Sequence, residues 1–348
     1  MILNKTEKAI LSIERACNDL RKGFAVIVKS GNNKILVTSP EVILPPLLAK
    51  LNDYRLVISP QRASYITGNE FNNAASITIT DQDNIADIAG VSNKPYLHEA
   101  ENLTNSKKID LYALKLTKIA ELIPAAIICD EFEDDGIFLT VTDNQIDEYK
   151  NNIEYGITEA CRTDISLKNA EDAQIIAYRP TLGGKEHYAI IIGKKTPKEP
   201  LVRIHSSCYT GDLLDSLECD CHDQLHEAIN LMQKKGGGII LYMLQEGRGI
   251  GLINKLRAYA LKSCGMDTVE ANEALGFNDD ERDFLPAAQI LKTMGIKKLQ
   301  LLSNNPRKAK GLEDLGIKVT KCVPHVIEHN KHNKKYLETK FTRLGHKK

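Results

Sequence analysis

Cys208, Cys219 and Cys221 lie within fourteen positions of one another, in a chain of 348 residues that has eight cysteines in all. Thiolates are soft ligands. A Cys-x-Cys pair lets two of them reach one ion from a tight turn while a third arrives from a preceding strand or loop. Three protein ligands and a vacant corner make the pattern of a catalytic zinc ion, whereas a structural site closes with a fourth ligand. His205, His222 and His226 are available as that fourth ligand, so spacing alone leaves a catalytic ion, a structural ion and no ion all open. An open zinc site can deliver hydroxide to an electrophilic carbon at neutral pH. Three thiolates leave more electron density on the ion than three histidines would, so its water is less acidic and a nearby base would help.

Further along, Glu246-Gly247-Arg248 sets a carboxylate and a guanidinium on either side of a glycine, in a loop that can approach a ligand closely. The carboxylate suits the N–H edge of a guanine and the guanidinium suits phosphate, although an exposed ion pair explains most such triplets. The acidic run Asp279–Asp283, with Arg282 inside it, reads by itself as a surface turn. No Walker-type loop occurs, so a bound nucleotide would rest its phosphates on Arg203, Arg282, Arg307 and Lys308, on helix N-termini and on a metal.

These residues need a frame, and the sequence supplies one. Leu201–Ile204 and Ile239–Leu244 read as buried strands, and Asp223–Lys235 as an amphipathic helix ended by Gly236-Gly237-Gly238. Gln245–Gly251 then lies beyond a strand's C-terminal end, where open α/β sheets hold ligands. A helix over 252–262 carries Tyr259. Strands are expected at Ala173–Tyr178, Tyr188–Ile192, Lys298–Ser303 and Lys318–Val323, with helices over Pro286–Met294 and from Pro306 onward. The first half is mixed α and β but poor in chemistry: a helix over 6–22, strands at Phe24–Lys29, Lys34–Thr38, Tyr54–Ser59, Ala125–Cys129 and Gly136–Thr142, and a helix over Asp110–Leu122. The acidic runs Asp81–Asp87 and Glu131–Asp135 read as solvated turns. The chain turns polar between Asn144 and Asn169, which puts a domain boundary near 160. The fold class is therefore α/β with mixed sheets in two domains, 1–160 and 161–348.

Hydrophobic residues make up 42% and charged residues 26% of the chain, with a formal charge of zero. Those are globular values, and there is no global field to draw in nucleic acid or an anionic membrane. No leader pattern or long apolar run is present, so a soluble cytoplasmic protein is expected. Cys17, Cys129, Cys161, Cys264 and Cys322 read as reduced thiols. Past Val323 the tail is rich in Lys, His and Asn, and beyond about His325 it has no assignable role.

The ordered run Arg203-Ile-His-Ser-Ser-Cys208, Thr210-Gly-Asp212, Cys219-Asp-Cys221-His-Asp-Gln224, Gln245-Glu-Gly-Arg-Gly-Ile-Gly-Leu252, Asn254-Lys-Leu-Arg-Ala-Tyr259, Asp267-Thr-Val-Glu-Ala-Asn272, Asp280-Glu-Arg-Asp-Phe284 and Leu302-Ser-Asn-Asn-Pro306 resembles GTP cyclohydrolase II. The resemblance covers about 170 to 340. It implies opening of the imidazole ring of GTP, loss of C8 as formate and release of pyrophosphate, giving 2,5-diamino-6-ribosylamino-4(3H)-pyrimidinone 5′-phosphate, the first step of riboflavin synthesis. It further implies one Zn²⁺ per subunit on Cys208, Cys219 and Cys221, and Mg²⁺ on the GTP phosphates. GTP would be contacted by Arg203, Ile204, His205, Ser206, Ser207, Gln224, Glu246, Gly247, Arg248, Thr268, Ser303 and Lys308. Tyr259 would sit at the reacting ring and Asp280 would accept a proton. Arg282 is implied as a nucleophile on the α-phosphorus; a guanidinium keeps its proton up to a pKa above about 12, so clamping phosphate is the alternative, and both roles stay open. A homodimer is implied, with no nucleic-acid or membrane partner.

Three departures from the family pattern stand out: Ser207 for a glutamate, His222-Asp223 for Gly-x, and Ser303 for threonine. None removes a metal ligand or a named catalytic group, so activity is expected. The front half resembles a worn 3,4-dihydroxy-2-butanone-4-phosphate synthase over about 5–145, on its opening helix, the Phe24-Ala-Val-Ile-Val28 strand and Ile109-Asp110-Leu111 with Ala125–Glu131. Where that family carries an acidic Mg²⁺-binding loop, this chain has Lys29-Ser-Gly-Asn-Asn-Lys34, which cannot hold a hard cation as carboxylates do. The family's His-Thr motif is missing too. A scaffold without synthase activity is expected. Two alternatives remain: a nucleotide-binding regulatory protein with a closed structural zinc, and a true two-activity enzyme.

Overall fold

The computed structural model describes residues 2–51, 53–79, 84–97, 102–134, 136–152, 156–193, 197–327, 331, 333, 342 and 343. Asp81–Asp83, Asp135 and most of the tail after Ile327 lie outside them. The chain forms two compact units: Met1–Ile153 with Ile250–Glu281, and Glu154–Gly249 with Arg282–Lys348. The sequence divides at one place near 160; the contacts divide it at three, because Ile250–Glu281 packs with the front half.

The first unit opens with helix Lys5–Arg21, started by a reciprocal capping box in which the Asn4 side chain accepts from the Glu7 amide and Glu7 accepts from the Asn4 amide. Its Ile10, Ile13, Cys17 and Leu20 are buried at helical spacing. Seven strands follow: β1 (Val26–Ser30), β2 (Asn33–Thr38), β3 (Tyr54–Ile58), β4 (Ala75–Thr78), β5 (Leu103–Asn105), β6 (Ala125–Cys129) and β7 (Thr140–Thr142). They form one sheet in the order β5-β4-β3-β6-β2-β1-β7, antiparallel apart from the β1–β7 pair. β6 is buried along its whole length, the expected state of a continuous apolar run in a central strand. The helices of this unit include Pro60–Thr67, Asp110–Ile119 and, from the later segment, Leu252–Ser263 and Thr268–Ala274.

The second unit is another seven-stranded sheet, from β8 (Thr158–Leu167), β9 (Ala170–Arg179), β10 (His187–Ile192), β11 (Leu201–Ser206), β12 (Gly238–Met243), β13 (Lys298–Leu302) and β14 (Lys318–Val323), in the order β14-β13-β11-β12-β10-β9-β8. Parallel pairing runs from β14 to β12 and antiparallel pairing from β12 to β8. Both faces of β12 are covered. Ile239 and Leu241 pack with Ala287, Ile290 and Leu291 of helix Leu285–Thr293, and Ile240 packs with Ala228, Ile229 and Met232 of helix Cys221–Lys234. The polar stretch read as a boundary contains helix Asp143–Asn152 and β8. β8 is an edge strand exposed along nearly its whole length, so nothing in it alternates.

Candidate metal centre

β11 ends at Ser206 and a π-helical turn over Tyr209–Leu213 carries the chain to Cys219 and the head of helix Cys221–Lys234. That path converges three sulfurs. Cys208, Cys219 and Cys221 place Sγ atoms all within 4.8 Å of one another, with 3.7 Å between those of Cys208 and Cys219. Two thiolates sharing a tetrahedral zinc at ~2.3 Å each would sit about 3.8 Å apart. The cysteine spacing therefore fits such an ion.

The surroundings fit it as well. Cys221 is the first residue of its helix, where the unpaired amide ends favour negative charge. The Cys208 sulfur accepts from the Gly211 amide at 3.2 Å. The neighbouring sulfurs and burial push the Cys219 thiol up to about 11 and raise that of Cys221, the direction expected of crowded groups that repel as anions. A Cβ on Gly211 would lie 2.8 Å from Cys219 Sγ, 2.9 Å from Cys208 Sγ and 2.9 Å from Cys221 Cβ. Only glycine leaves room where the sulfurs meet. Gly211→Ala is therefore expected to spread the sulfurs and weaken zinc binding on the order of 10- to 100-fold, the size of effect that neighbours of ligands exert. Competition with a chromophoric chelator measures it.

Asp212 supports the turn. Its carboxylate accepts from the Cys208 amide at 2.9 Å and the Tyr242 hydroxyl at 2.8 Å, and meets His205 Nε2 at 3.1 Å. β11 and β12 pair His205 with Tyr242, and the two rings stack with centroids 5.5 Å apart. Burial lowers the His205 pKa, so the ring is neutral, with Nε2–H donating to Asp212 and Nδ1 accepting from Arg203 Nε at 3.4 Å. Both ring nitrogens are thus engaged. Among the described residues, neither His205, His222 nor His226 joins the sulfur cluster as a fourth ligand. His222 and His226 instead lie against each other with tilted rings, their centroids 4.2 Å apart.

Beside this turn, Arg203 is 4% exposed. Its Nη1 pairs with His325 Nδ1 at 2.7 Å and its Nη2 donates to Gln224 Oε1 at 2.5 Å. Burial lowers its pKa to about 10 and that of His325 to about 3, so the guanidinium is held by neutral partners. Lys308, near the start of helix Pro306–Asp314, donates to the Ile204 carbonyl at 2.8 Å. Ser207 donates its amide to Met243 O, and Glu246 Oε2 accepts from the Tyr209 amide at 2.8 Å. Gly247 and Arg248 both have φ of +62°, so the Glu246–Arg248 loop is tightly wound. Ser303 Oγ accepts from the Asn305 amide, and the Arg282 guanidinium lies 6.0 Å from the centre of the Phe284 ring.

Arg203, His205, Cys208, Cys219, Cys221, Gln224, Glu246 and Lys308 are thus linked within one unit. Tyr259, Thr268 and Asp280 belong to the other. There Tyr259 has the Lys262 ammonium 5.0 Å and the Lys255 ammonium 5.7 Å from its ring centre, and Thr268 heads helix Thr268–Ala274. Sequence reasoning did not single out Asp212, Gly211, Tyr242 or His325. The Thr210-Gly211-Asp212 motif was a signal for the first two. Tyr242 sits in an apolar strand and His325 follows the last strand, where neither spacing nor composition points to a site.

The family model for GTP cyclohydrolase II matches residues 158–324. GTP cyclohydrolase-2 of Azospirillum brasilense is 35% identical over 369 residues, covering 99% of this chain and 96% of that one. The riboflavin biosynthesis protein RibBA of Endomicrobium trichonymphae is 41% identical over 250 residues, 67% of this chain, and the chain spans 62% of that relative's length. RibBA of Bacillus subtilis is 42% identical over 242 residues, 64% of this chain and 60% of the relative. No helix among the described residues is long and apolar enough to cross a membrane.

Proposed function

This chain belongs to the GTP cyclohydrolase II family, and we propose that it hydrolyses GTP to formate, pyrophosphate and 2,5-diamino-6-ribosylamino-4(3H)-pyrimidinone 5′-phosphate, opening riboflavin biosynthesis. The observation that carries this reading is the convergence of three sulfurs on a glycine-lined space that no described histidine joins. Cys208, Cys219 and Cys221 would hold a Zn²⁺ ion, which would supply Lewis-acid activation of water.

The protein's own groups then do the binding and proton work. Arg203, already desolvated and held by neutral partners, keeps most of its charge for an anion. Lys308 adds a second cation and Ser303 a hydroxyl. Glu246 accepts from the guanine N–H edge, Arg248 across Gly247 donates to phosphate or a ring oxygen, and Gln224, Ile204, His205, Ser206 and Ser207 line the approach. Thr268 gives a further hydroxyl, Asp280 takes the proton and Tyr259 orients the ring being opened. Arg282 clamps phosphate, a role that leaves its guanidinium protonated. Mg²⁺ enters with the triphosphate. The front half is a synthase-like scaffold without synthase chemistry, and the whole works as a cytoplasmic homodimer.

Incubating the zinc-loaded protein with GTP and Mg²⁺ is expected to release formate and pyrophosphate together, while ribulose 5-phosphate yields no butanone phosphate. GTP binding without formate would favour a regulatory protein. Butanone phosphate would return the front half to catalysis.

A further inference from the structure

Ile250–Glu281 carries Tyr259, Thr268 and Asp280, yet it is compact with residues 1–153. The anchoring is polar and spread along the segment, buried at Asn254 and Arg62 and more open toward its end. Near its start, Asn254, which has no exposed surface, donates to the Glu121 carbonyl at 3.1 Å. Arg257 pairs with Glu41 at 2.7 Å, and the other oxygen of Glu41 accepts from the Ile123 amide at 2.8 Å. Near its end, Arg62 from helix Pro60–Thr67 donates to the Ala274 carbonyl while also donating to the Ile88 and Asp87 carbonyls. Ser59 caps that helix and donates its hydroxyl to the Gly276 carbonyl at 2.7 Å.

Gly276 is fixed by this contact. Its φ is +85°, and a Cβ there would stand 2.7 Å from Ser59 Oγ and 3.0 Å from Pro124 Cγ. Beyond it, Gln61 donates to the Asn278 side chain at 2.7 Å and Lys118 pairs with Glu281 at 2.5 Å. Glu281 in turn accepts from the Asn278 amide at 3.0 Å. Asp280 therefore lies on a short span whose two neighbours, Asn278 and Glu281, are both tied to the front half.

We infer that the front half positions this segment for turnover, with Arg62 and Lys118 as positioning residues for Asp280 and Tyr259. Arg62 serves three backbone carbonyls at once, which only a planar guanidinium with its fork of donors does. An apolar side chain of similar length would leave the Ala274 carbonyl without that donor and let the end of helix Thr268–Ala274 drift. Displacing a reacting group by ~1 Å costs about 100-fold in rate even when the altered residue is remote. This would account for a front half that buries Arg62, a residue 2% exposed, against the segment.

The inference rests on the proposed cyclohydrolase activity, so the wild type is assayed first. Arg62→Met in the full chain is expected to lower kcat for formate release about 100-fold while KM for GTP rises no more than about 3-fold and zinc content is unchanged, because Thr268 alone of the GTP-contacting groups lies on the loosened segment, whereas the sulfur cluster, Arg203 and Lys308 lie in the other unit. Arg62→Lys should recover part of the rate. Lys118→Met, at a side chain 31% exposed, should lower kcat roughly 10-fold in the same way. Hydrogen exchange should quicken at 268–281 and stay unchanged in β11 and β12. If Arg62→Met does not fold, Lys118→Met decides. Variants that keep wild-type kcat while exchange at 268–281 rises would overturn the inference and leave the proposed function standing. A wild type that releases no formate would remove both.

Discussion

Replacing Cys219 by serine is expected to stop formate release and to remove the bound zinc. The Cys219 sulfur lies 3.7 Å from that of Cys208 and within 4.8 Å of that of Cys221, so losing it leaves two ligands at a site that needs three. A hydroxyl is a harder, shorter-reaching donor and does not replace a thiolate at the same backbone position. Losing ~4 kcal/mol of transition-state stabilisation by the ion corresponds to about a 10³-fold fall in kcat. GTP binding should persist, since Arg203, Gln224 and Lys308 make none of their observed hydrogen bonds to Cys219. Metal analysis and formate assay on the same preparation check both halves. Full formate release from Cys219→Ser would show the metal assignment to be wrong.

Asp212→Ala is expected to be the most costly single change for stability in the second unit. One carboxylate satisfies the Cys208 amide, the Tyr242 hydroxyl and the His205 Nε2–H, and each is left without its acceptor when the side chain goes. A buried donor without a partner costs roughly 1–3 kcal/mol, so a loss of about 4 kcal/mol is expected by denaturant unfolding of the metal-free protein, out of a total that is rarely above about 15. Zinc affinity should fall as well, on the order of 10- to 100-fold, because the same carboxylate fixes the turn that presents Cys208. Asp212→Asn keeps one acceptor oxygen and should recover part of both. A variant within about 1 kcal/mol of wild type would mean that the turn is held mainly by the sulfurs.

Much of the frame was legible. Helix Lys5–Arg21 followed from the spacing of Ile10, Ile13, Cys17 and Leu20, and β6 matched the apolar run Ala125–Cys129 residue for residue. Strand and helix positions around the sulfurs came out within two residues, because β11, β12 and helix Cys221–Lys234 are buried on the faces their apolar residues mark. β8 was not legible: an exposed edge strand has no buried face to impose alternation, and its charged residues read as linker. Helix Asp143–Asn152 was hidden for a similar reason, being rich in Asp, Asn and Gln.

The site was legible where chemistry coincides with spacing. Cys208, Cys219 and Cys221 stood out by type, whereas Arg203 and His325 meet across 122 positions of sequence and no local pattern announces such a pair. The same holds for the division of the chain. Arg62 and Ala274 are 212 positions apart, and a reading that proceeds along the chain assigns Ile250–Glu281 to the domain on either side of it. Contacts formed by long-range burial, not by local propensity, moved that segment.

The central claim is that three sulfurs hold an ion with one position left for water. X-ray absorption at the zinc edge of the purified protein reads this directly. The account predicts about three sulfur neighbours at ~2.3 Å and one oxygen at ~2.0 Å, with no imidazole scattering. A fourth protein ligand in that shell, or no zinc bound by the cysteines, would contradict it.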